Sequence, residues 1–441
     1  MIYANVLQEP DAFNFEVQSL GKCSIDSPVR GRDFVDDKEQ ITFASQVKNI
    51  RMLMEKAKVL PAFQKAGPRP KIFHEPALSN AAIITCGGLC PGLNNVIKGL
   101  VTVLYHDYKV KKIFGLKYGY QGLVPKYNHL PLQLTPLTVD EIHKSGGTIL
   151  GSSRGDQDAA AMVDTLERMG LNLLFCIGGD GTLRGAGAIA EEILKRKLSI
   201  SVIGIPKTID NDLSFIEKTF GFETAVHTAV DIITSAHNEA GGADSGIGLV
   251  KLMGRDSGFI AAAATLANSV VDFCLVPEID FTLEGEHGLF RALERKLDKA
   301  NHSVIVVAEG AGQNLFRTTE REKDASGNVL KQDVGAFLRD AIGGHFKRSG
   351  REVSIKYLDP SYHIRSVAAI SSDAIFCYLL AENAVHAAMA GKTSIVIGHW
   401  NNYFTHVPIN LATHERQKLD LDGALWKGVL GSTRQNDYFG I

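Results

Sequence analysis

The sequence has no apolar run approaching the length a bilayer-spanning helix needs, so no membrane is expected among its partners. Its opening, "MIYANVLQEPDAF", lacks the basic-then-apolar pattern of a secretory leader, and its closing "DYFGI" carries no lipidation or peroxisomal signal. An excess of one charge is also missing. Forty-seven lysines and arginines face 49 aspartates and glutamates for a net charge of -2, which argues against a nucleic-acid coat or a polybasic surface. The six cysteines (Cys23, Cys86, Cys90, Cys176, Cys274 and Cys377) form no CxxC pair, and several sit in apolar runs such as "LLFCIGG" and "VDFCLVP". Reduced, mostly buried thiols in a cytoplasmic protein are the expectation. With no low-complexity tract and no repeat of solenoid period, small-molecule chemistry is the default reading.

What is present is enough hydrophobic material for two cores: 441 residues, 45% of them hydrophobic. Residues 1 to 76 have weak periodicity, many charges and a breaker cluster, "AGPRPKIFHEP", and read as an extension joined by a linker. From Ser79 the pattern sharpens. "AAIITCGG" is a short apolar run ending in glycines, followed by Leu93, Val96, Ile97, Leu100 and Leu104 at helical spacing. "LNLLFCIGGDG" and "SVIGIPKTIDND" repeat the strand, loop and helix pattern, and "GIGLVKLMG" and "HSVIVVAEG" repeat the apolar run with a polar tip. Continuous apolar strands alternating with amphipathic helices predict an α/β fold of mainly parallel sheets covered on both faces, with ligands beyond the carboxyl ends of the strands.

Those ends carry the chemistry. In "CGGLCPGLNN", Gly87, Gly88 and Gly92 let backbone N–H groups approach an anion, with Pro91 placed in the first turn of a helix, and the equal alternative is a turn whose glycines serve tight packing. A cysteine metal pair at Cys86 and Cys90 is disfavoured, because no histidine or third cysteine stands at ligand spacing. In "GGDGT", Asp180 offers the hard oxygen that Mg²⁺ prefers, and its glycines and Thr182 can meet phosphates; the alternative is an aspartate that caps the next helix. In "PKTIDND", Asp210 and Asp212 stand beside Lys207 and Thr208; if extended, that spacing puts both carboxylates on one face, where one takes a proton and the other supports it or holds the metal, and the alternative is a turn whose side chains cap local backbone. "KLMGRDSG" adds Arg255 and the backbone around Gly254, "VAEGAG" adds Glu309, and "IKYLDPSYHIRS" adds Lys356, Tyr362 and Arg365. Together these cations, a carboxylate and a tyrosine complement a sugar phosphate.

"GGDGT", "PKTIDND" and "MGRDSG" in this order resemble the phosphofructokinase family from about Ala81 to about Arg365, and the whole is similar to the long-chain ATP-dependent branch that includes the trypanosomal enzymes. The resemblance implies two phosphofructokinase-type domains and phosphoryl transfer to the 1-hydroxyl of fructose 6-phosphate. It makes Asp210 the general base, Asp212 its support, Asp180 the Mg²⁺ ligand, and Arg154 of "GSSRGD" the cation on the moving phosphoryl group, with Lys207 beside them. Gly88, Tyr120, Arg154, Gly155, Asp180, Gly181, Thr182 and Gly185 would line the donor. Thr208, Ile209, Asp210, Met253, Gly254, Arg255, Glu309, Lys356, Tyr362 and Arg365 would hold the sugar phosphate. The implied organisation is an extension over 1–78, a donor domain over 79–222 with 364–415, a sugar-phosphate domain over 223–363 and a tail over 416–441, assembled as a homotetramer.

Departures from the commonest bacterial pattern are Leu89 and Cys90 in the first loop, Tyr362 for a histidine, and Gly246 where an arginine reaches a neighbouring subunit. They count against cooperativity of the bacterial type. The donor stays open between ATP and pyrophosphate: Lys207 occurs in pyrophosphate-dependent members, whereas Gly181 leaves room for the α-phosphate of ATP where those members carry an aspartate. The balance favours ATP. A non-catalytic nucleotide sensor is the rival class, and the intact set Asp210, Asp212, Asp180 and Arg154 argues against it.

Overall fold

The computed structural model describes residues 2–316 and 329–436. The chain divides into two compact units, Met1–Gly221 with Ser366–Gln417 and Phe222–Arg365 with Lys418–Ile441.

The first unit is built on a nine-stranded sheet. Its centre is five parallel strands in the order Ile395–Trp400, Ser201–Pro206, Leu173–Gly178, Asn80–Thr85 and Lys112–Leu116. Leu173–Gly178 and Ser201–Pro206 are buried at every position, as strands covered on both faces must be. The chain runs from Asn80–Thr85 outward to Lys112–Leu116 and then returns to Leu173–Gly178 on the other side, so the sheet's switch point lies between Asn80–Thr85 and Leu173–Gly178. On one face, helix Asp180–Lys195 buries Leu183, Ala186, Ile189, Ala190 and Ile193 in a cluster with Ala82, Ile84, Leu174, Cys176 and Val202. Helix Leu93–His106 instead packs on helix Ser371–Met389. Gly99 permits that approach, since a Cβ there would lie 2.7 Å from the Ala381 Cβ.

The N-terminal segment is not a loose extension but part of this unit. Gln40–Thr42 and Ala62–Lys65 add antiparallel strands to one edge of the sheet. Phe43 stacks on Trp400 with ring centroids 5.3 Å apart, and the Trp400 indole N–H donates to the Phe43 carbonyl at 2.8 Å. Phe13, Phe15 and Phe63 pack edge-on to Phe215. Aromatics spaced too irregularly to show a period thus supply the core that the segment lacks when read alone.

The second unit has four parallel strands in the order Phe273–Leu275, His302–Ala308, Gly246–Leu252 and Ser354–Leu358. Gly246 is explained by packing: a Cβ there would lie 2.0 Å from the Ala240 carbonyl oxygen, so an arginine cannot replace it with this backbone. The expected C-terminal tail is divided. Arg416 and Gln417 belong to the first unit, helix Ala424–Thr433 packs on helix Phe259–Asn268 in the second, and 437–441 lie outside the described residues. All six cysteines are free thiols, five of them buried. Among the described residues, no helix is long and apolar enough to cross a membrane.

Candidate active site

Strand register brings three of the sequence-predicted loops into line. Thr85 pairs with Ile177, and Gly178 with Pro206, so the three strands end side by side. The Cys86 N–H donates to the Ile177 carbonyl at 3.0 Å, and the Lys207 N–H to the Gly178 carbonyl at 3.0 Å, which carries the alignment into the loops.

The first loop is held from two directions. The Gly87 N–H donates to the Ser153 carbonyl at 3.0 Å and the Ser152 hydroxyl donates to the Gly87 carbonyl at 2.5 Å, tying the "GSSRGD" segment and therefore Arg154 to this loop. The buried Lys207 ammonium donates to the Gly88 carbonyl at 2.8 Å. Pro91 stands before the helix and not in its first turn, because Gly92, at φ +101°, is the capping residue of Leu93–His106. That glycine is required by close packing, since a Cβ would lie 2.6 Å from Cys377 Sγ. Cys90 donates its thiol to the Phe220 carbonyl at 3.2 Å, and burial pushes the Cys86 thiol up to about 12; both are packing residues.

In the second loop, Gly179 caps helix Asp180–Lys195 without a side-chain hydrogen bond, so Asp180 is the first helical residue and not its cap. An acidic group there is favoured by the helix dipole. Its carboxylate pairs with Arg184 and lies 3.6 Å from Arg416 Nη2. Gly178 is needed because a Cβ would fall 2.2 Å from Thr182 Oγ1. Tyr120 lies beneath this helix: it is 6% exposed, its hydroxyl donates to the Thr182 carbonyl, and its ring occupies the space beside Gly185. It braces the loop from below and does not present a face to it. Gly181 is exposed, and a Cβ there would meet nothing within 4 Å.

The third loop is a turn and not the extended stretch the spacing allowed. Asn211 adopts φ +51°, a left-handed conformation that asparagine tolerates. Its side-chain oxygen accepts from the Thr219 N–H at 2.9 Å, and its amide donates to the Glu217 carbonyl at 3.1 Å. Asp210 and Asp212 are therefore not set on one face by alternation. Thr208 links them: its hydroxyl donates to Asp212 Oδ1 at 3.1 Å and its oxygen accepts from the Asp210 N–H at 3.1 Å. Ile209, Asp210 and Asp212 are all buried. Sequence reasoning missed four residues: Ser152 and Ser153, which precede Arg154 in "GSSRGD"; Arg184, one helical turn beyond Asp180 and readable from that spacing; and Arg416, which lacks a motif and reaches the site only through the fold.

In the second unit, Leu252 pairs with Ala308, so Met253, Gly254, Arg255 and Glu309 follow adjacent strand ends. The Arg255 N–H donates to Glu309 Oε1 at 2.9 Å. Gly254 and Arg255 take φ +144° and +50°, and the chain passes so close to Gly310 that a Cβ there would lie 1.9 Å from the Arg255 carbonyl oxygen. Burial holds the Glu309 carboxyl above its ordinary range, partly offset by the Arg255 N–H. Glu278, not foreseen, accepts from the Gly258 N–H at 3.0 Å and fixes the end of the same loop. Tyr362 is exposed, with the Arg365 guanidinium 4.6 Å from its ring centroid. Lys356 does not join this group: it pairs with Gly248, well before the strand end at Leu252.

A divalent cation would be held in the first unit with few protein ligands. Among the described residues, no three histidine, cysteine or acidic side chains are grouped to hold a metal by themselves. A lone Asp180 at a helix N-terminus beside glycine-rich backbone suits Mg²⁺, which is commonly held by one or two carboxylates with substrate phosphates and water.

Two units, each centred on parallel strands with glycine-rich turns, carboxylates and cations at the strand ends, define a doubly wound α/β protein of the kind that handles phosphorylated small molecules. The chain belongs to the phosphofructokinase family, whose pattern, described as Phosphofructokinase, matches residues 80–388. It is 49% identical, over 96% of its length and 97% of the relative's, to the ATP-dependent 6-phosphofructokinase of Borreliella burgdorferi. It is 44% identical to that of Amycolatopsis methanolica, over 97% and 96% of the two chains. The fold is shared with the pyrophosphate-dependent phosphofructokinase of Marinobacter aquaeolei at TM-score 0.67, covering 80% of this chain and 91% of that one at 18% identity.

Proposed function

We propose that this chain is an ATP-dependent 6-phosphofructokinase, which transfers the terminal phosphoryl group of ATP to the 1-hydroxyl of D-fructose 6-phosphate and yields fructose 1,6-bisphosphate in glycolysis. The observation that carries the reading is the alignment of Asp180 with the Lys207–Asp212 turn at the ends of two hydrogen-bonded parallel strands, supported by near-full-length relatives bearing that name.

In this reading Asp210 takes the proton of the attacking hydroxyl. Asp212 positions it through Thr208, since a carboxylate that fixes the threonine hydroxyl also fixes the Asp210 backbone N–H. Arg154 and Lys207 offset charge on the moving phosphoryl group. Backbone at Gly88, Gly155, Gly181, Thr182 and Gly185 lines the donor, with Tyr120 as the support under the loop. Mg²⁺, held by Asp180, phosphate oxygens and water, would supply neutralising charge at the phosphates. Thr208 and Ile209 flank the acceptor hydroxyl. Met253, Gly254, Arg255, Glu309, Tyr362 and Arg365 hold the sugar phosphate. Lys356, set back from that strand end, is assigned to a neighbouring subunit's sugar site in a cytoplasmic homotetramer.

Rates with fructose 6-phosphate and either ATP or pyrophosphate test the reading. Turnover with ATP at least tenfold faster is expected; inactivity with ATP, or preference for pyrophosphate, overturns it. Sedimentation showing a fully active monomer refutes the tetramer.

A further inference from the structure

Arg416 lies outside every motif singled out in the sequence, yet its side chain stands between the carboxylates of the two acidic loops of the first unit. Its segment is stitched to the third loop. Leu213 and Arg416 form an antiparallel bridge, the Gln417 N–H donates to the Asp212 carbonyl at 2.8 Å, and the Gln417 side-chain amide donates to the Leu213 carbonyl at 2.6 Å. This backbone pairing delivers one guanidinium to two carboxylates. Arg416 Nη2 is 3.6 Å from Asp180 Oδ2, and Arg416 Nε is 3.7 Å from Asp212 Oδ2. All three side chains are sheltered, at 25%, 11% and 9% exposure for Arg416, Asp180 and Asp212.

From these contacts we infer that Arg416 is a positioning residue that couples the metal-binding carboxylate to the catalytic turn. The inference rests on the kinase reading above. From Arg416 the chain of contacts runs through Asp212 to the Thr208 hydroxyl and from there to the Asp210 N–H. The planar fork of arginine holds two carboxylates in one fixed geometry, which the rotatable ammonium of a lysine does not impose. The same cation also competes for Asp180. Arg184 and Arg416 both offset the Asp180 charge; a divalent ion held at Asp180 would meet Arg416 as a competing cation, one that also has Asp212 as a partner. Arg416 thus weakens metal binding at Asp180 while holding the turn that carries Asp210.

The consequence is a split that loss of packing alone does not produce. In R416Q, kcat falls by about tenfold while the KM for fructose 6-phosphate stays within about threefold, and Mn²⁺ binds several-fold more tightly in the presence of ATP without sugar phosphate, as read by paramagnetic resonance. R416K keeps the cation but not the fork, so Mn²⁺ affinity remains near that of the parent protein while kcat is lowered. Unchanged kcat in R416Q, or Mn²⁺ binding that is unchanged or weaker, overturns the inference. Should R416Q fail to fold, R416K decides alone, and an unchanged kcat there overturns it. Metal binding is read without turnover, so it tests Arg416 separately from the kinase reading, which only an inactive parent protein would sink.

Discussion

Gly181→Asp isolates donor choice because the structure removes the usual ambiguity about folding. A Cβ at this position meets nothing within 4 Å and the residue is exposed, so the side chain is accommodated without displacement. It stands in the first turn of helix Asp180–Lys195, where an added carboxylate is favoured by about 0.3–1 kcal/mol. The melting temperature should therefore hold or rise slightly. Its effect on ATP is electrostatic. Two unit charges about 5 Å apart at an effective dielectric of about 20 repel by roughly 3 kcal/mol, and solvent screening at an exposed site lowers that to about 1–2 kcal/mol, or about five- to thirtyfold in kcat/KM. Pyrophosphate has no nucleoside or third phosphate to meet the new charge, and the Lys207 ammonium, held at the Gly88 carbonyl, remains available to it. The assay is kcat/KM for both donors at saturating fructose 6-phosphate. Equal slowing of both donors would refute the reasoning, because the loop would then be setting phosphate and metal geometry without discriminating between donors.

Other expectations concern the base, the sugar phosphate and the buried carboxylate. Asp210→Asn should lower kcat by about 10²–10⁴-fold with little change in either KM, and near-normal turnover removes Asp210 from its role. Arg255→Ala should raise the KM for fructose 6-phosphate by about tenfold or more and that for ATP far less, as steady-state titrations of each substrate will show. Glu309 has its carboxyl raised by burial, so its contribution to stability is fully present below the ordinary glutamate range and is lost as pH rises through the raised value. Glu309→Gln keeps the acceptor for the Arg255 N–H and removes that loss. Its melting temperature relative to the parent protein should climb with pH across that window and then level off; a difference independent of pH contradicts the assignment.

Much of this molecule was legible from local pattern. The runs before "CGG", "GGDG" and "PKT" are continuous apolar strands because parallel strands covered by helices have no solvent face, and no other element suits runs so short with glycine at their ends. Helix Asp180–Lys195 was equally plain from Ala186, Ile189, Ala190 and Ile193 at helical spacing. The N-terminal segment was opaque for the opposite reason. Phe13, Phe15, Phe43 and Phe63 gain partners in Phe215 and Trp400, far away in sequence, and no local period marks them.

The sequence by itself determined the chemistry on offer: which loops end in glycine, which carry carboxylates, and in what order they follow the strands. Those are properties of side-chain type and of spacing within one strand and its loop, and they survive being read one segment at a time. Only the tertiary structure decided how the groups are held. The left-handed Asn211 turned an apparent one-face pair into two carboxylates joined through Thr208. The packing of Gly185 sent Tyr120 beneath the "GGDGT" loop, and an antiparallel bridge brought Arg416 within 4 Å of both Asp180 and Asp212. Each of these depends on contacts between residues remote in the chain, whose energies exist only once the strands have aligned.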